Sequence, residues 1–551
     1  MLRNVAALVV VPLFLLPALA RAETYYVATA GSDTAAGTDA APWATLQHAA
    51  DTVAAGDTVI VHPGAYRGFD LRTGGTAAAP VTFSAEPGVT IDRDNPSTPD
   101  GINVENVSHV VIEGFVVVGR TRTGIRAAVC DHVTIRRNRC DMNGRWGVLT
   151  GFCDDLLIED NETSRSGAEH GIYVGNSGDR PHIRANRIWG NNANGIHMNG
   201  DASLGGDGII SDGVVEQNVI WDNGTAGGSG INCDGTRTTL IRNNLIYDTH
   251  ASGISLYAGD GAASGDNIVV NNTVVMASDG RWALNVQSGS TNNRAFNNVL
   301  LSNHAFRGAI DVSPDSLPLT SDYNVVIDRF STDGSAVIDL AAWRTATGQD
   351  AHSVVATIAA TFLAPASSDY HLAAASPAID TGTAMDAPSS DLEGRARPVG
   401  AAIDIGAFEA CPDPCTAPVP DGGVAPATDA GVVPGTDGGV APGADGGVAP
   451  GTDGGVAPRV DGGSTGRDGG APAPAPGDDG GCGCIVAGSR GASSGSSGLV
   501  VLLLAVVALA INGTRPRRRT HRPRTGYRRA RTCRADSRSQ SRRTSRPRRN
   551  R

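Results

Sequence analysis

The sequence predicts an all-β chain folded as a parallel β-solenoid, because two short patterns alternate between about residues 80 and 315. The first pattern is an apolar strand that ends at asparagine, with 23 to 32 residues between successive asparagines. These asparagines are Asn138, Asn161, Asn186, Asn218, Asn244, Asn272 and Asn298. The second pattern is Gly-apolar-x-apolar, with Ala in place of Gly in its last two copies. Its copies begin at Gly124, Gly147, Gly171, Gly195, Gly230, Gly253, Ala283 and Ala309.

The spacing of the asparagines gives the length of one coil. A strand of about five residues spans ~17 Å, so three strands and their turns fit within one spacing. Period-two alternation buries one side of each strand, and stacked coils then share one core. Asparagines at equal positions would lie ~4.8 Å apart and hydrogen-bond along the stack, which is a structural role. Leucine-rich repeats and propellers are excluded, since neither a Leu register nor a four-strand blade pattern recurs.

Composition and charge exclude several classes of protein. The chain has 551 residues, no lysine and a net charge of −11. Its last 37 residues contain 17 arginines and one acid, so the part before them is strongly acidic. An acidic domain argues against nucleic acid as its partner, because phosphate contacts need a basic face. Nine scattered cysteines do not form a disulfide scaffold or a zinc module.

The two ends of the chain predict export and a membrane tether. Residues 1–22 have the positive, apolar and small-x-small segments of a secretory signal peptide. Residues 411–481 are rich in Asp, Gly and Pro and predict an extended, acidic linker. Residues 482–514 contain a Cys motif and an apolar run that predicts a transmembrane helix. The Arg-rich tail, 515–551, favours the cytoplasmic side, which places the preceding residues outside the cytoplasm.

The order Cys motif, apolar helix and Arg cluster resembles the C-terminal sorting signals of myxobacterial surface proteins. The resemblance implies an exported protein at the cell surface, associated with the outer membrane or extracellular. The tail to residue 551 runs further than such signals do. It is either a genuine cytoplasmic tail or an artefact of where the reading frame ends.

The solenoid is predicted to occupy residues 23–330 and to be closed by residues 331–410. Open solenoid ends need caps. Residues 42–53 read as an amphipathic capping helix at the N-terminal end. The segments SPAID (376–380), DLEGRARP (391–398) and DIGAFE (404–409) are interpreted as a capping module at the other end.

Residues 24–410 resemble the right-handed parallel β-helix proteins of the pectate-lyase-like superfamily. The segments YYVATAGSD, APWATLQHAAD and GDTVIVHPGAY, within residues 25–66, are similar to the usual start of its secreted bacterial members. The resemblance implies a right-handed coil. It leaves the function open, because the superfamily includes lyases, hydrolases, epimerases and non-catalytic surface proteins.

Alternation within the Gly-apolar-x-apolar strands predicts which side chains face outward. The residue after the leading Gly points into the core and the next one points out. One outward ladder is Arg126, Leu149, Tyr173, His197, Asn232, Ser255, Asn285 and Asp311. The second is Ala128, Gly151, Gly175, Asn199, Asp234, Tyr257, Gln287 and Ser313. The polar middle of this strip predicts a polysaccharide groove bordered by the 201–213 insertion, with Asn199, Asn232, Asp234 and Tyr257 binding sugar.

Catalytic candidates follow from the chemistry of uronate lyases, which remove a proton beside a carboxylate. His197 and Tyr173 lie on adjacent coils and could act as base and acid, and Arg126 could hold the carboxylate. His170 is interpreted as a turn residue without a role in the site. Asp201, Asp207 and Asp234 could hold calcium through oxygen ligands. Because Asp234 is predicted to lie on a wet face, its removal is expected to cost little stability.

Hydrolysis is the weaker alternative. Asn232-Cys233-Asp234 resembles one element of the polygalacturonase-type glycosidases, but their other elements are absent from the solenoid. Asp234 with Asp201 or Asp260 remains as a generic carboxylate pair.

Two readings of function stay open. The chain is either a carbohydrate-active enzyme, a lyase or epimerase of acidic glycans, or a non-catalytic surface or adhesion protein. A cleft covered by the 201–213 insertion would favour the enzyme. The protein is predicted to be monomeric. Cys130 and Cys153 occupy equal positions in adjacent coils, which predicts a disulfide in an exported protein.

Overall fold

A computed structural model describes residues 22–410, and these residues form the predicted parallel β-solenoid. The predicted signal peptide (except residue 22), linker, transmembrane segment and Arg-rich tail lie outside the described residues. Within residues 22–410, no helix is both long and apolar enough to cross a membrane.

Each coil contributes one strand to each of three parallel sheets, which we number in chain order within a coil. Sheet 1 contains Phe69–Leu71, Ile102–Glu105, Thr123–Arg136, Trp146–Asp154, Ile172–Gly175, Ile196–Asn199, Ser229–Asp234, Ser252–Tyr257, Leu284–Val286, Ile310–Val312 and Phe330–Ser331. Sheet 2 contains Thr24–Val27, Thr58–Val61, Val81–Ala85, Ser108–Glu113, the second half of Thr123–Arg136, Leu157–Glu159, His182–Arg184, Val214–Glu216, Leu240–Arg242, Ile268–Val270, Arg294–Phe296 and Thr320–Asp322.

Sheet 3 is a separate 12-stranded sheet. It contains Gly64–Arg67, Val89–Arg93, Val116–Val118, Arg139–Asp141, Glu162–Ser164, Arg187–Trp189, Val219–Trp221, Leu245–Tyr247, Thr273–Met276, Val299–Ser302, Val325–Val326 and Val354–Val355. A short pair, Ile210–Ser211 with Thr236–Arg237, lies outside these sheets.

The interior of the solenoid is filled by the side chains that alternation predicts. Ile172 and Val174 lie in the apolar core, and so do the residues paired with them on the next coil, Ile196 and Met198. The intervening Tyr173 pairs with His197 and faces away from the core. The predicted assignment of inward and outward positions in sheet 1 is therefore confirmed.

The asparagine stack is confirmed as a structural ladder between sheets 2 and 3. Asn186 donates from its backbone nitrogen and from Nδ2 to Oδ1 of Asn218, both at 3.0 Å, and Asn218 repeats the pattern with Asn244. The residue before each asparagine is left-handed, for example Gln217 with φ of 56°. This conformation turns the chain sharply. The buried asparagine amide then forms hydrogen bonds with the backbone N–H and C=O groups that lack a partner at the turn. The ladder continues to Asn324.

A short helix closes the N-terminal end. It spans Leu46–Thr52 and begins after Thr45, whose side chain accepts from the backbone nitrogen of His48. The predicted start at residue 42 is too early, because Trp43 instead forms a β-bridge with Val27. Leu46, Ala49 and Ala50 are the buried face of the helix.

The region after the last coils covers both the end and the flank of the solenoid. Helix Leu340–Thr347 packs over the end, where Trp343 stacks on Phe330 at 5.1 Å between ring centroids. Further on are helix Ile358–Thr361 and the antiparallel strands Phe362–Ala364 and Asp369–Leu372. The three segments interpreted as a capping module lie on the flank, where Ile405 and Phe408 belong to an apolar cluster with outward residues of sheet 3. Short 3-10 turns span Ala202–Leu204, Pro314–Ser316 and Pro365–Ser367.

Candidate functional site

A cleft of about 730 Å³ runs across the outer face of sheet 1. Its floor is the strip of five successive strands that begin at Ile172, Ile196, Ser229, Ser252 and Leu284. Its walls include residues 226–228 and 258–260. Six residues predicted as catalytic or sugar-binding line it together: Tyr173, His197, Asn199, Asn232, Asp234 and Tyr257.

Parallel pairing places these side chains in two adjoining rows. Tyr173, His197 and Asn232 are register partners on successive coils, and so are Asn199, Asp234 and Tyr257. An asparagine supports each tyrosine, because Asn199 and Asn232 donate from Nδ2 to the hydroxyls of Tyr173 and Tyr257, each at 3.3 Å. The rows form a surface of amides, hydroxyls and aromatic rings, which suits a sugar.

The floor is less exposed than the sequence suggested. His197 is 8% exposed and Asp234 is 2% exposed, although both were predicted to lie on a wet face. The backbone of residues 259–261 covers Asp234, and the rings of His170 and Tyr173 pack against His197. Burial raises the pKa of the Tyr257 hydroxyl, with a further contribution from the charge of Asp234.

Two histidines meet at one end of the floor. The Nδ1 atom of His197 lies 3.0 Å from Nε2 of His170, and the His197 ring stands nearly perpendicular to the Tyr173 ring at 5.1 Å between centroids. Burial lowers the pKa of His197 to about 3 and also lowers that of His170 well below its usual value. These low pKa values disfavour proton uptake by either histidine near neutral pH.

His170 lies in a turn and is hydrogen-bonded there, as interpreted, but it also lines the cleft, which was not expected. His170 precedes Gly171 at the corner of the coil, before the strand begins at Ile172, so period-two alternation does not apply to it. The corner residues form their own column into the cleft, as Asn194 and Ser229 show. In the sequence, the polar residues that precede the leading glycines form this column, and a search of those positions would have identified His170.

Glu169 and Arg281 also line the cleft and were not predicted. Glu169 forms an ion pair with Arg145, whose guanidinium lies 4.2 Å above the Trp146 ring centroid. The Glu169 carboxylate is thereby partly neutralised at the edge of the cleft.

Asp234 has a structural role that the sequence did not predict. Its Oδ1 accepts from the backbone nitrogens of Gly259 and Gly261, and its Oδ2 accepts from that of Asp260 at 2.8 Å. Gly259 is needed for this approach, because a Cβ there would lie 2.8 Å from Oδ2. The carboxylate therefore holds one wall of the cleft, which contradicts the premise that Asp234 lies on a wet face and supports nothing.

The predicted calcium site is not formed. Asp201 accepts from the backbone nitrogen and hydroxyl of Ser203, and Asp207 accepts from the backbone of Ile209, while Asp234 holds the wall. Among residues 22–410, the acidic and histidine side chains that come together as possible metal ligands are instead Asp131, His132 and Asp155, away from the cleft.

The 201–213 insertion is hydrogen-bonded to one wall of the cleft and is not part of the cleft lining. The backbone nitrogen of Ala202 donates to Asp260 O, and Ala262 N donates to Gly208 O at 2.9 Å. The cleft lining contains no residue of the insertion within the described chain. The insertion thus braces the wall formed by residues 258–260.

The structure does not bring Arg126 into the site. Arg126 lies two coils before Tyr173, and Leu149 lies between them in the ladder. Its Nη1 donates to Asn103 at 2.6 Å and forms an ion pair with Glu105 at 2.9 Å. The proposed contact of Arg126 with the carboxylate of the same sugar is therefore wrong.

Cys130 and Cys153 are register partners on adjacent coils, as predicted, and both are free, buried thiols in the structure. Their side chains interact directly, and this hydrogen bond lowers the pKa of the Cys130 thiol. The Cys130 thiol also lies 3.2 Å from Ala128 O. The predicted disulfide is not present, but the two residues are placed for it.

We expect the purified, oxidised protein to contain the Cys130–Cys153 disulfide, because neighbouring strand positions lie within the Cα range of disulfides. Peptide mass mapping without reduction should recover the two cysteines in one linked fragment. The Cys153→Ser variant, mapped in the same way, is the control. Recovery of both wild-type thiols in free form after exposure to oxidised glutathione would contradict the prediction.

Burial of His197 predicts a dependence of stability on pH. The unfolded histidine takes up a proton near pH 6.5, whereas the folded one does so only near pH 3. Its contribution to the free energy of unfolding is complete above about pH 6.5 and is lost as the pH falls. Between about pH 7 and pH 5, the stability of the wild type relative to His197→Gln should fall by about 2 kcal/mol. Urea unfolding of both proteins at pH 7 and pH 5 measures this change. If the difference in stability between the wild type and His197→Gln is the same at both pH values, the low pKa of His197 is contradicted.

Comparisons with known proteins agree with this fold. The Pel9A-like right-handed β-helix region matches residues 25–152, and the right-handed β-helix region matches residues 165–316. An uncharacterized protein of Bacillus subtilis (strain 168), YwoF, is 26% identical over 331 residues, which cover 50% of this chain and 68% of that protein. The predicted right-handed parallel β-helix is confirmed.

The solved structures to which the chain is similar include two lyases. The pectate lyase Pel9A is 19% identical, with a TM-score of 0.45, over 70% of this chain and 96% of that one. The alginate lyase from Paenibacillus sp. str. FPU-7 is 20% identical, with a TM-score of 0.41, over 50% of this chain and 93% of that one.

Proposed function

We propose that the chain is a carbohydrate-active β-helix protein that binds an acidic polysaccharide in the cleft and acts on it as a lyase or epimerase. The observation that carries this proposal is the meeting of Tyr173, His170 and His197 on the floor of a polar cleft. Buried polar side chains that converge in a cleft are typical of catalytic sites.

The dimensions and chemistry of the cleft suit a short stretch of glycan. Five adjacent strands span ~19 Å, which is about four sugar units. Asn199, Asn232 and Asn285 supply amides that can bond hydroxyls, and Tyr173 and Tyr257 supply ring faces. Arg281 at the far end can contact a carboxylate.

Both reactions begin with removal of the proton beside the carboxylate of a uronic acid. In elimination, the electron pair left on carbon forms a double bond and expels the C4 oxygen, which takes up a proton. In epimerisation, a proton returns to the same carbon from the opposite face. The Tyr173 hydroxyl on the floor of the cleft can take part in these proton transfers.

A panel of glycans tests the proposal. The purified full-length protein is incubated with polyuronates and with neutral glycans, and three products are measured: unsaturated ends by absorbance, reducing ends, and solvent deuterium at the epimerised carbon. We expect turnover of at least one polyuronate and of no neutral glycan. Binding without any of the three products would instead support the second candidate.

The second candidate is a non-catalytic surface or adhesion protein that uses the same cleft. The position of the 201–213 insertion favours it, because the insertion leaves the cleft uncovered. The His197→Leu variant separates the two candidates. It should abolish turnover in an enzyme, whereas in an adhesin it can only weaken binding.

We further propose that the domain is exported and tethered to the cell surface. Support comes from the sequence of residues 1–22 and 411–551. Protease added to intact cells should cut within residues 420–480 and release the β-helix. Complete protection on cells that display another accessible surface protein would contradict this location.

A further inference from the structure

A chain of hydrogen bonds fixes the proton positions on the two histidines. It begins at the backbone nitrogen of Ser229, which can only donate, and which donates to Oδ1 of Asn194 at 2.5 Å. The orientation of the Asn194 amide follows from this contact, because its oxygen must face Ser229. Nδ2 of Asn194 is therefore a donor on the opposite side.

His170 Nδ1 must be an acceptor. It lies 3.3 Å from Nδ2 of Asn194 and 3.3 Å from the backbone nitrogen of the same residue, and both are donors. A neutral imidazole with an acceptor at Nδ1 carries its hydrogen on Nε2. The Glu169 carboxylate, 3.6 Å from His170 Nε2, favours the same arrangement.

His170 Nε2 therefore donates to Nδ1 of His197, across 3.0 Å. With Nδ1 occupied as an acceptor, the neutral His197 carries its hydrogen on Nε2. This Nε2 atom is buried and has no hydrogen-bond partner. An unpaired buried donor is unfavourable, and a bound acceptor would remove that penalty.

We propose that His197 acts in the cleft as a neutral hydrogen-bond donor, through Nε2–H, to a carboxylate oxygen of a uronic acid residue. This deepens the proposed function and rests on it. His197 then does not act as the base that the sequence suggested, because its Nε2 atom carries a hydrogen and cannot accept a proton. His170 and Asn194 are positioning residues, since they set the tautomer without contact with the sugar.

The surroundings keep His197 neutral. Burial lowers its pKa, and two charged residues beside His170, Glu169 and Arg145, form an ion pair with each other. Neighbouring atoms cover Nε2, so a carboxylate oxygen reaches it only after a side chain of the cleft shifts. The donor is then desolvated, which strengthens its bond to an anion.

Nitrogen NMR of the full-length protein labelled at histidine tests the tautomer directly. His197, assigned by loss of its signals in His197→Gln, should be neutral with hydrogen on Nε2 from pH 5 to pH 9. The His170→Leu variant should lose this tautomer preference, and His170→Gln, which keeps a donor amide, should retain it. A hydrogen on Nδ1 of wild-type His197, or titration of His197 near neutral pH, would overturn the proposal.

Calorimetry with trigalacturonate, trimannuronate and triguluronate tests the donor role. For whichever trimer binds, His197→Leu should weaken binding tenfold or more, and His197→Gln, whose amide can replace Nε2–H, should stay within about threefold of wild type. Equal loss in both variants would overturn the donor role. If the wild type binds none of the trimers, the proposed function fails, and the NMR result still decides the tautomer.

Discussion

Asn218→Ala is expected to lower the free energy of unfolding by about 3–5 kcal/mol. The Asn218 side chain makes four hydrogen bonds in a fully buried position: Nδ2 donates to Ile183 O and to Asn244, and Oδ1 accepts twice from Asn186. Alanine leaves the backbone nitrogen of Asn186 and the carbonyl of Ile183 without partners. Urea unfolding followed by circular dichroism measures the loss.

Asn303→Ala is the matched control for this substitution. Asn303 is an exposed asparagine whose side chain makes one hydrogen bond, from Nδ2 to Met276 O at 3.1 Å. Its replacement should cost less than about 1 kcal/mol. Similar losses for both variants would show that the ladder contributes no more than an exposed amide does.

The ladder also explains why the fold could be predicted from the sequence. Each coil needs an amide at one fixed corner, so asparagine recurs there even though coil length varies around the 201–213 insertion. Leading glycines recur for a similar reason. A Cβ on Gly195 would lie 2.7 Å from Gly230 O on the next coil. Contacts between equivalent positions on successive coils require the same residue type at regular intervals in the sequence. This periodicity predicts the fold, the register of the strands and the side chains that face the core.

The site could be predicted only in part, because its decisive contacts are not periodic. Alternation identified Tyr173, His197 and Asp234 as outward residues. It could not show that His170 turns into the cleft at a corner, or that residues 258–261 fold back onto Asp234. These contacts depend on loop conformations that occur once in the chain, and they change both burial and chemical role.

Asp234→Ala is expected to release the wall formed by residues 258–261 and so to weaken both stability and glycan binding. Three backbone nitrogens lose a charged acceptor, and bonds of this kind contribute about 1.5–3 kcal/mol each when fully buried. Because this wall is partly exposed, water can replace some of them, and we expect a loss of about 2–3 kcal/mol in the free energy of unfolding. The dissociation constant for a bound polyuronate should rise tenfold or more.

Asp260→Ala separates the anchoring of this wall from the effect of charge. It removes a carboxylate from the same wall of the cleft, while the backbone nitrogen of residue 260 still donates to Asp234. Stability should therefore stay within about 0.5 kcal/mol of wild type, and removal of a negative charge should leave polyuronate binding unchanged or stronger. Hydrogen exchange of residues 258–261 should accelerate in Asp234→Ala alone. If exchange and stability respond equally in both variants, Asp234 contributes only charge, and the wall is held by its contacts with the 201–213 insertion.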